Sequence, residues 1–387
     1  MPVQADTTRP LRVLIVHDSL SENGAVRVTL DLADRLTRLG AACEVFALQS
    51  AREGPEAGAP PGVPLIRGVP VGGRLRTSGP AAAVRLLRAC RRADVVVSGS
   101  EVGLGLLSGS VAARLARRPF VVVVHAPLDR VLERWVAPRW RGPTRRAHRR
   151  ADAAICVSAA LAAEATANGL DSRRVHVVPN GVDVERVRRL AAAEPAPPEG
   201  TPTVLGFGRL SPEKGFDLLV RAHAELIGRG IEHRLELIGH GPERGPLARL
   251  AAELGVAESC SLPGFVENPF PRLARAAVLV LPSRHEGQPL ALLEALALEV
   301  PVLASRSAGA AELLGAEQLF ADESVPALAA ALQRHLEDPE PLRRAARASS
   351  EAVRSRSLDD VARDYLRILE PAARGTGAAH RPEAAYE

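Results

Sequence analysis

Short apolar runs, rich in β-branched residues, alternate with helical segments through the first half of the chain. These runs lie at 11–17 (LRVLIVH), 43–48 (CEVFAL), 94–99 (DVVVSG), 120–125 (FVVVVH), 153–158 (AAICVS) and 175–179 (VHVVP). They are apolar on both faces, which is typical of strands in a parallel sheet that helices cover on both sides. Their alternation with helices predicts a doubly wound α/β domain.

The same alternation begins again after residues 191–203, a stretch whose Ala, Pro and Gly content is typical of a linker. The strand-like runs of the second half lie at 203–209, 235–241, 259–265, 278–283, 300–305 and 318–322. Helices are predicted to begin near residues 214 and 289. The second half is therefore predicted to form a second α/β domain, without sequence repetition of the first.

These patterns predict how the chain is divided. We expect a Rossmann-like domain over 1–190, a linker over 191–202, a second Rossmann-like domain over 203–355, a returning helix over 356–371 and a disordered tail over 372–387. The returning helix carries an apolar stripe, which we expect to pack back across both domains. Residues 49–80 are rich in Gly and Pro and are predicted to form a long surface loop with little regular structure.

The composition narrows the class of protein. A hydrophobic fraction of 46% with 25% charged residues is typical of a soluble globular protein. Aromatic residues make up only 3%, so the cores must consist mainly of Ala, Val and Leu. The net charge of +5 allows weak attraction to phosphates or anionic lipid but does not require nucleic acid.

The cysteines and the termini bear on location. The four cysteines lie far apart, mostly in or beside apolar runs, and are interpreted as small buried hydrophobic residues rather than a zinc site or disulfide framework. The polar N-terminus shows no signal peptide, and no apolar run approaches the roughly 20 residues that span a bilayer. We therefore expect a cytoplasmic protein.

One lysine stands apart in a chain whose other basic residues are all arginine. Lys214 follows Arg209 by five residues, on a glycine-bounded loop directly after the run TVLGF. Lysine offers a compact point charge on a flexible stem, which a planar arginine does not replace where an anion is held closely. The position indicates an anion site beyond the end of a strand, unless a single lysine has no special role.

A second candidate segment, EGQPLALLE, follows the run at 278–283. Glu286 lies in the predicted loop, Pro289 where a helix should begin, and Glu294 on that helix. Proline is favoured at the first helical position, and the first amides of a helix bind phosphate well. The two carboxylates would hold hydroxyl-rich groups on either side of a diphosphate. For Glu294 the alternative is a solvated helix face.

Five motifs occur in the order seen in the retaining glycosyltransferases of the GT-B class often called family 4. They are PNGVD at 179–183, GRLSPEKG at 208–215, GHGPE at 239–243, GFV at 264–266 and EGQPLALLE at 286–294, which resembles the E-x7-E signature. The resemblance extends through residues 11–370. It implies two Rossmann-like domains facing across a cleft, with an N-terminal acceptor domain and a C-terminal donor domain.

The resemblance also implies which residues hold the donor. Arg209 and Lys214 resemble the pair that binds the diphosphate, a role in which Gly24 and Leu290 are also expected. Glu294 resembles the acid that receives the ribose hydroxyls, whereas Phe265 and Val266 would border the nucleobase.

Further residues resemble those around the transferred sugar. Glu286 resembles the catalytic carboxylate that faces the sugar, and Gly287 and Gln288 would contact it. His125 resembles the catalytic histidine near the sugar and the acceptor; its alternative role is a strand-end histidine bonded to the backbone.

Two positions depart from the family pattern. The family often has two adjacent glycines in its first loop, where this chain has Asn23-Gly24-Ala25, and often has Phe where this chain has Gln288. Both differences alter the donor or acceptor pocket, so the sugar and the acceptor cannot be carried over from the resemblance.

The resemblance implies chemistry without a metal or another cofactor. The chain contains no Asp-x-Asp pair. Arg209, Lys214 and a helix N-terminus would instead neutralise the leaving diphosphate.

Residues 128–150 contain eight arginines and both tryptophans of the chain, Trp135 and Trp140. One interpretation is a membrane-surface patch for a lipid-linked acceptor, which would make the protein peripheral to the inner face of the membrane. A second is a pocket for an anionic or polyhydroxy acceptor, and a third is a solvated arginine-rich helix.

Taken together, the sequence predicts a retaining glycosyltransferase that moves a hexose or N-acetylhexosamine from a nucleotide sugar, expected to be UDP-linked, to a hydroxyl of a glycan precursor or small natural product. The alternatives are a nucleotide-sugar epimerase, a phosphorylase, or a non-catalytic binding protein of the same fold. A nucleic-acid binder is disfavoured, because no known reading motif is present.

Overall fold

The apolar runs of the first half form one parallel sheet. The structure, a computed structural model, describes residues 9–21, 23–50, 56–70, 75–193, 200–321 and 324–375, with the backbone alone at 75–77 and 308. Within that part of the chain the strands are β1 (Arg12–His17), β2 (Ala42–Ala47), β3 (Leu65–Arg67), β4 (Val95–Ser98), β5 (Phe120–Val124), β6 (Ala153–Cys156) and β7 (Val175–Val177). Their order is β3-β2-β1-β4-β5-β6-β7, and each pairing is parallel.

Helices cover both faces of this sheet. They are α1 (Gly24–Arg38), α2 (Leu75–Arg92), α3 (Leu104–Ala116), α4 (Leu128–Trp135), α5 (Pro138–Arg149) and α6 (Ala159–Ala167). Successive side chains of a strand point to opposite faces. Leu14 of β1 therefore packs in a core with α2, α3 and α6, whereas Ile15 packs in the core on the α1 side.

The chain between β2 and α2 differs from its prediction. A loop with little regular structure was expected over 49–80, but β3 pairs with β2 at the edge of the sheet and α2 begins at Leu75. A three-residue edge strand is too short to show periodicity, and Gly79-Pro80 inside α2 resembles a turn signal. Residues 51–55 and 71–74 of this stretch lie outside the described residues.

The second half forms a separate parallel sheet, as predicted. Its strands are β8 (Thr203–Phe207), β9 (Arg234–Ile238), β10 (Cys260–Gly264), β11 (Val278–Leu281), β12 (Val302–Ser305) and β13 (Leu319–Phe320), in the order β10-β9-β8-β11-β12-β13. The accompanying helices are α7 (Val184–Ala191), α8 (Phe216–Gly228), α9 (Arg244–Glu253), α10 (Phe270–Arg275), α11 (Leu290–Ala297), α12 (Ala308–Ala311), α13 (Val325–Glu337) and α14 (Glu340–Arg354). One core packs with α8, α9 and α13, and the other with α7, α10 and α11.

The chain divides into two compact units, residues 1–180 with 358–387, and residues 181–357. The helix α7 packs on α10 and α11 and so belongs to the second unit, although it falls within the predicted first domain. Residues 194–199 of the predicted linker and 376–387 of the predicted tail lie outside the described residues.

The last helix, α15 (Leu358–Ala373), belongs to the first unit. It packs against α1, and Arg35 of α1 forms an ion pair with Asp359 at 3.4 Å. Its predicted apolar stripe buries Val361, Ala362, Tyr365 and Leu369. Two helices far apart in the sequence, α1 and α15, therefore share one core.

Two predictions from composition can be compared directly with the structure. All four cysteines are buried and free, which confirms that they act as small hydrophobic residues. No helix in the described part of the chain is long and apolar enough to cross a membrane.

Truncation of Tyr365 should destabilise the first unit. Its side chain is only 1% exposed and lies in the core that includes Ile15 and Leu36. We expect Tyr365→Ala to lower the free energy of unfolding by about 3 kcal/mol or more, and Tyr365→Phe, which keeps the ring, by about 1 kcal/mol. Urea denaturation followed by circular dichroism measures both. Equal effects of the two substitutions would show that the ring does not hold α15 in this core.

Candidate functional site

In the second unit, the carboxyl ends of β8 and β11 bring two predicted site residues into contact. Lys214 ends a one-turn 3-10 helix (Pro212–Lys214) after β8, and Glu286 lies in the loop after β11. Lys214 Nζ donates to Glu286 Oε1 in an ion pair whose side chains are 25% and 14% exposed. Ser283 Oγ donates to the same carboxylate oxygen at 3.1 Å. The lysine and the loop carboxylate, predicted separately, thus form one cluster.

Arg284 fastens these two loops to each other. Its backbone N–H donates to the Glu213 carbonyl at 2.8 Å, and its Nη1 donates to the Pro212 carbonyl at 2.6 Å. The guanidinium also holds both carboxylate oxygens of Asp217, at 2.9 and 2.8 Å. Burial alone would raise the pKa of Asp217, but the hydrogen bonds and charge of Arg284 hold it below its ordinary value.

Arg284 was missed by the sequence reasoning. Its neighbour Glu286 was identified through a motif, but an arginine carries little signal in a chain where nearly every basic residue is arginine. The one available signal was position, because Arg284 also follows β11 directly.

The backbone of the Glu286 loop is held from the other side by α12. A Cβ atom on Gly309 would lie 1.6 Å from the Gly287 carbonyl oxygen and 2.7 Å from the Gln288 Cα atom. Only glycine allows this approach, so Gly309 fixes the position of Gly287 and Gln288. Gln288 itself is 7% exposed.

Glu294 is buried, which contradicts the alternative of a solvated helix face. It lies on α11, only 1% exposed, between the buried residues Leu293 and Ala295. A helix that is apolar all round is buried on all sides, and one carboxylate within it is then buried as well. The helix begins at Leu290, with Pro289 immediately before it, one residue later than predicted.

The loop that carries Arg209 is anchored to the end of β9. The Gly208 N–H donates to the Ile238 carbonyl at 3.0 Å, and the Leu210 N–H donates to the His240 carbonyl at 2.8 Å. Arg209 itself is exposed between these two anchors. The GRL and GHG segments of the two motifs thus lie side by side.

An aromatic pair lies at the ends of β9 and β10. Phe265 is 47% exposed, and its ring meets the imidazole of His240 edge-on, with 6.0 Å between the ring centroids. Val266 follows it, partly buried. An exposed ring of this kind suits stacking with a planar group. His240, inside GHGPE, was not predicted as a site residue.

In the first unit, a group of titratable side chains gathers at the ends of β1, β4 and β5. His17 ends β1, Glu101 lies beyond β4, and His125 follows β5. The His125 N–H donates to Glu101 Oε2 at 3.4 Å, and His17 Nε2 pairs with Thr29 Oγ1 at 2.6 Å. His148 Nε2 donates to the Glu101 carbonyl at 2.6 Å.

Burial sets the charge of this group. It lowers the pKa of His125 to about 4 and that of His17 to about 3, and it raises the pKa of Glu101 to about 7. Both imidazoles are therefore neutral at pH 7. The His125 ring hydrogen bonds to the backbone of Gly99, in line with the alternative role, but its Nε2 has no partner among the described residues. Sequence reasoning did not single out Glu101.

Gly24 is the first residue of α1. Asn23 caps this helix, because its side-chain oxygen accepts from the Val26 N–H at 3.0 Å. The donor role predicted for Gly24 stays a prediction. The same holds for the roles of Arg209, Lys214 and Leu290 at the diphosphate.

Known proteins similar to this chain are glycosyltransferases. The model of Glycosyltransferase Family 4 matches residues 22–186, and that of Glycosyl transferases group 1 matches residues 187–352. The 2-deoxystreptamine glucosyltransferase of Streptomyces kanamyceticus is 33% identical over 275 residues, which cover 64% of this chain and 68% of that one. The MMP alpha-(1->4)-mannosyltransferase of Mycolicibacterium hassiacum is 31% identical over 304 residues, 72% of this chain and 71% of the other.

A solved structure extends the similarity to the fold. The crystal structure of HepE from Anabaena, in complex with UDP and glucose, matches with a TM-score of 0.77 and 20% identity. The match covers 93% of this chain and 99% of HepE. At this identity it shows a common fold and leaves the ligands of this chain open.

Substitution of Gly309 should displace the Glu286 loop. The added methyl of Gly309→Ala cannot fit beside the Gly287 carbonyl, so we expect a loss of about 2 kcal/mol or more in the free energy of unfolding, with faster amide exchange at Gln288. Gly228→Ala is the matched control, because a Cβ on Gly228 of α8 meets nothing within 4 Å. That control should leave stability unchanged or raise it by about 0.5 kcal/mol. A Gly309→Ala protein as stable as the control would contradict the close approach.

The pH dependence of stability should report the buried Glu101 carboxyl. Its pKa is about 7 in the folded protein and 4.5 ordinarily, so folding favours the protonated form. The free energy of unfolding that this preference contributes is fully present below about pH 4.5 and is lost as pH rises through 7. We expect Glu101 to account for about 1 kcal/mol of the unfolding free energy lost between about pH 6.5 and 8.5.

Urea denaturation across this pH range, with and without Glu101→Gln, measures that contribution. His17 and His125 have lowered folded pKa values, so loss of protons from their unfolded forms near pH 6.5 raises stability in both proteins alike, and the difference between the two profiles isolates Glu101. Glu258→Gln removes an exposed carboxyl and serves as the control. Parallel pH profiles for wild type and Glu101→Gln would show that Glu101 is already ionised when folded.

Proposed function

The chain belongs to the GT-B glycosyltransferases of family 4 (glycosyl transferases group 1), and we propose that it is a retaining, metal-independent enzyme that moves a hexose or N-acetylhexosamine from a UDP-sugar to an acceptor hydroxyl. UDP is favoured because HepE was solved with UDP and glucose. The named relatives include a glucosyltransferase and a mannosyltransferase, so the sugar stays open among hexoses. The proposed acceptor is a glycan precursor or a small natural product.

The contact between Lys214 and Glu286 carries the proposal. In this structure Glu286 compensates the lysine charge, and Ser283 orients the same carboxylate. A donor diphosphate would compete for Lys214, because charge-assisted bonds to phosphate oxygens are strong. Lys214 would then turn to the phosphate, while Glu286 would be released towards the hydroxyls of the sugar. One ion pair would thus be replaced by two contacts with substrate.

The remaining predicted residues fit around this exchange. Arg209 and the first amides of α11, which begins at Leu290, would add positive potential at the leaving diphosphate. Glu294, buried on α11, would accept the ribose hydroxyls of the donor. Phe265 and Val266 would border the base.

His125 would contribute as a neutral group. Because burial lowers its pKa to about 4, its imidazole carries no charge at pH 7. Its Nε2, which has no partner among the described residues, would hydrogen bond a hydroxyl of the sugar or acceptor. In the proposed reaction the acceptor hydroxyl attacks from the face that the nucleotide leaves. A phosphate oxygen assists removal of its proton, so the chain supplies mainly position and electrostatics.

A thermal-shift panel of UDP, GDP, ADP and their sugars, followed by assays with each stabilising donor, tests the proposal. We expect UDP and UDP-sugars to raise the melting temperature. Lys214→Ala should abolish that shift and lower transfer at least about 100-fold while leaving the unliganded fold intact. Lys214→Arg keeps the charge but changes the geometry, and should recover only part of the activity.

Arg347→Ala, at an exposed position on α14, is the control for removal of one positive charge and should behave like wild type. Near-normal turnover by Lys214→Ala would reject the assignment of the diphosphate site. Conversion of the UDP-sugar in the absence of any acceptor would instead identify an epimerase.

A further inference from the structure

The first unit contains a groove at the amino-terminal end of β5, the end of that strand opposite to His125. This α3–α5 groove, of about 540 Å³, lies between α3 and α5 and is floored by Leu107, Phe120 and Ala147. Phe120 begins β5 and His125 follows the same strand, so the groove lies about 16 Å from the His125 end of the sheet. None of the motifs of the glycosyltransferase family contributes to it.

The groove is strongly and openly positive. Five arginines line it, together with a single carboxylate, Asp152; the arginines are Arg114, Arg117, Arg118, Arg146 and Arg150. Asp152 accepts the Phe120 N–H at 2.8 Å, so five positive charges face a single negative one in this lining. In the part of the chain that the structure describes, none of these arginines forms an ion pair.

Positive charges crowd one another here. The charge of Arg146 lowers the pKa of the exposed Arg150, with smaller effects from desolvation and from the charge of Arg114. Other arginines of the protein are neutralised by carboxylates, as Arg145 is by Asp129 at 2.7 Å. A cluster of unneutralised arginines at a groove is complementary to an anion with several oxygens.

Large apolar side chains stand exposed beside these charges. Trp140 lines the groove and is 44% exposed, Val111 lines it and is 59% exposed, and Leu115, one turn along α3, is 66% exposed. A free phosphate would use the arginines but would leave all three side chains in water, and the base of a nucleotide would cover Trp140 but not Val111 and Leu115 as well. Basic residues mixed with Trp and aliphatic side chains are typical of surfaces that lie in the headgroup region of a bilayer.

We propose that the α3–α5 groove binds the phosphate headgroup of an anionic membrane lipid, with Trp140, Val111 and Leu115 entering the boundary between headgroups and acyl chains. The arginines pair with the negative charge of the headgroup, and the apolar side chains insert below it. The site differs from the membrane patch predicted over 128–150. It uses α5 but not α4, whose Leu128 and Leu132 are buried, and three of its five arginines come from α3 and the turn after it.

Co-sedimentation of the full chain with vesicles of phosphatidylcholine, with and without phosphatidylglycerol, tests the proposal. We expect binding only when phosphatidylglycerol is present, with a steep decrease as salt is raised. The triple variant Arg114→Gln, Arg146→Gln, Arg150→Gln should bind at least about tenfold more weakly.

The matched control removes the same charge elsewhere. Arg249, Arg344 and Arg347 are exposed in the second unit and form no ion pair among the described residues. Their triple substitution by Gln should weaken vesicle binding less than about threefold. Circular dichroism and the melting temperature of both triple variants establish that each is folded.

The two tryptophans give a second matched pair. Trp140→Ala should weaken vesicle binding, whereas Trp135→Ala, which removes a slightly more exposed ring outside the groove lining, should not. In the Trp135→Ala protein the fluorescence of Trp140 should shift to the blue when phosphatidylglycerol vesicles are added.

Several results would overturn the proposal. They are equal binding to both kinds of vesicle, equal losses in the two triple variants, and no difference between the tryptophan variants. The lipid would also be rejected if the wild-type protein binds no vesicles but is stabilised by inorganic phosphate, or binds single-stranded RNA, and the groove variant loses that effect. The groove would then be assigned to a soluble anion.

Discussion

The candidate donor site depends on one ion pair, between Lys214 and Glu286, and on the scaffold that brings its members together. Lys214 and Glu286 are both partly buried, so each compensates the charge of the other where the two loops meet. Arg284 stabilises this geometry, because it donates a hydrogen bond to the backbone of the Lys214 loop and forms an ion pair with Asp217 at the start of α8. In the proposed function, Lys214 would therefore be in position before the diphosphate binds. Because Glu286 pairs with Lys214 in this structure, the diphosphate would have to displace that carboxylate.

The two units deal with buried charge in different ways. In the second unit, ionised groups are kept in pairs, as with Lys214 and Glu286. In the first unit, burial shifts the pKa values of His17, His125 and Glu101 towards their neutral forms. A neutral group of hydrogen-bonding side chains suits recognition of hydroxyls, whereas a paired and exchangeable cation suits recognition of phosphate. The proposed function would use the first unit for the acceptor and the second unit for the donor.

The sequence was most informative where buried strands end. Apolar runs located most strands, and residues just beyond them, such as Lys214 and Glu286, lie where parallel topology brings them together. The edge strand β3 was missed because three residues show no periodicity, and the start of α2 was hidden by Gly79-Pro80. Arg284 and Glu101 were missed for a different reason. Their importance lies in partners distant along the chain, which no local pattern records.

Arginine content illustrates the same limit. The densest basic stretch, 128–150, was the natural candidate for a charged surface, yet several of its arginines are already engaged. Arg145 pairs with Asp129, and Arg141 donates to the carbonyls of Val136 and Glu133. Arginines that form no ion pair among the described residues instead lie where α5 meets α3, and one of them, Arg114, comes from outside that stretch. In a chain that uses arginine for nearly every positive charge, the number of arginines says little. What distinguishes a binding surface is the absence of neighbouring carboxylates, and packing of the helices decides that.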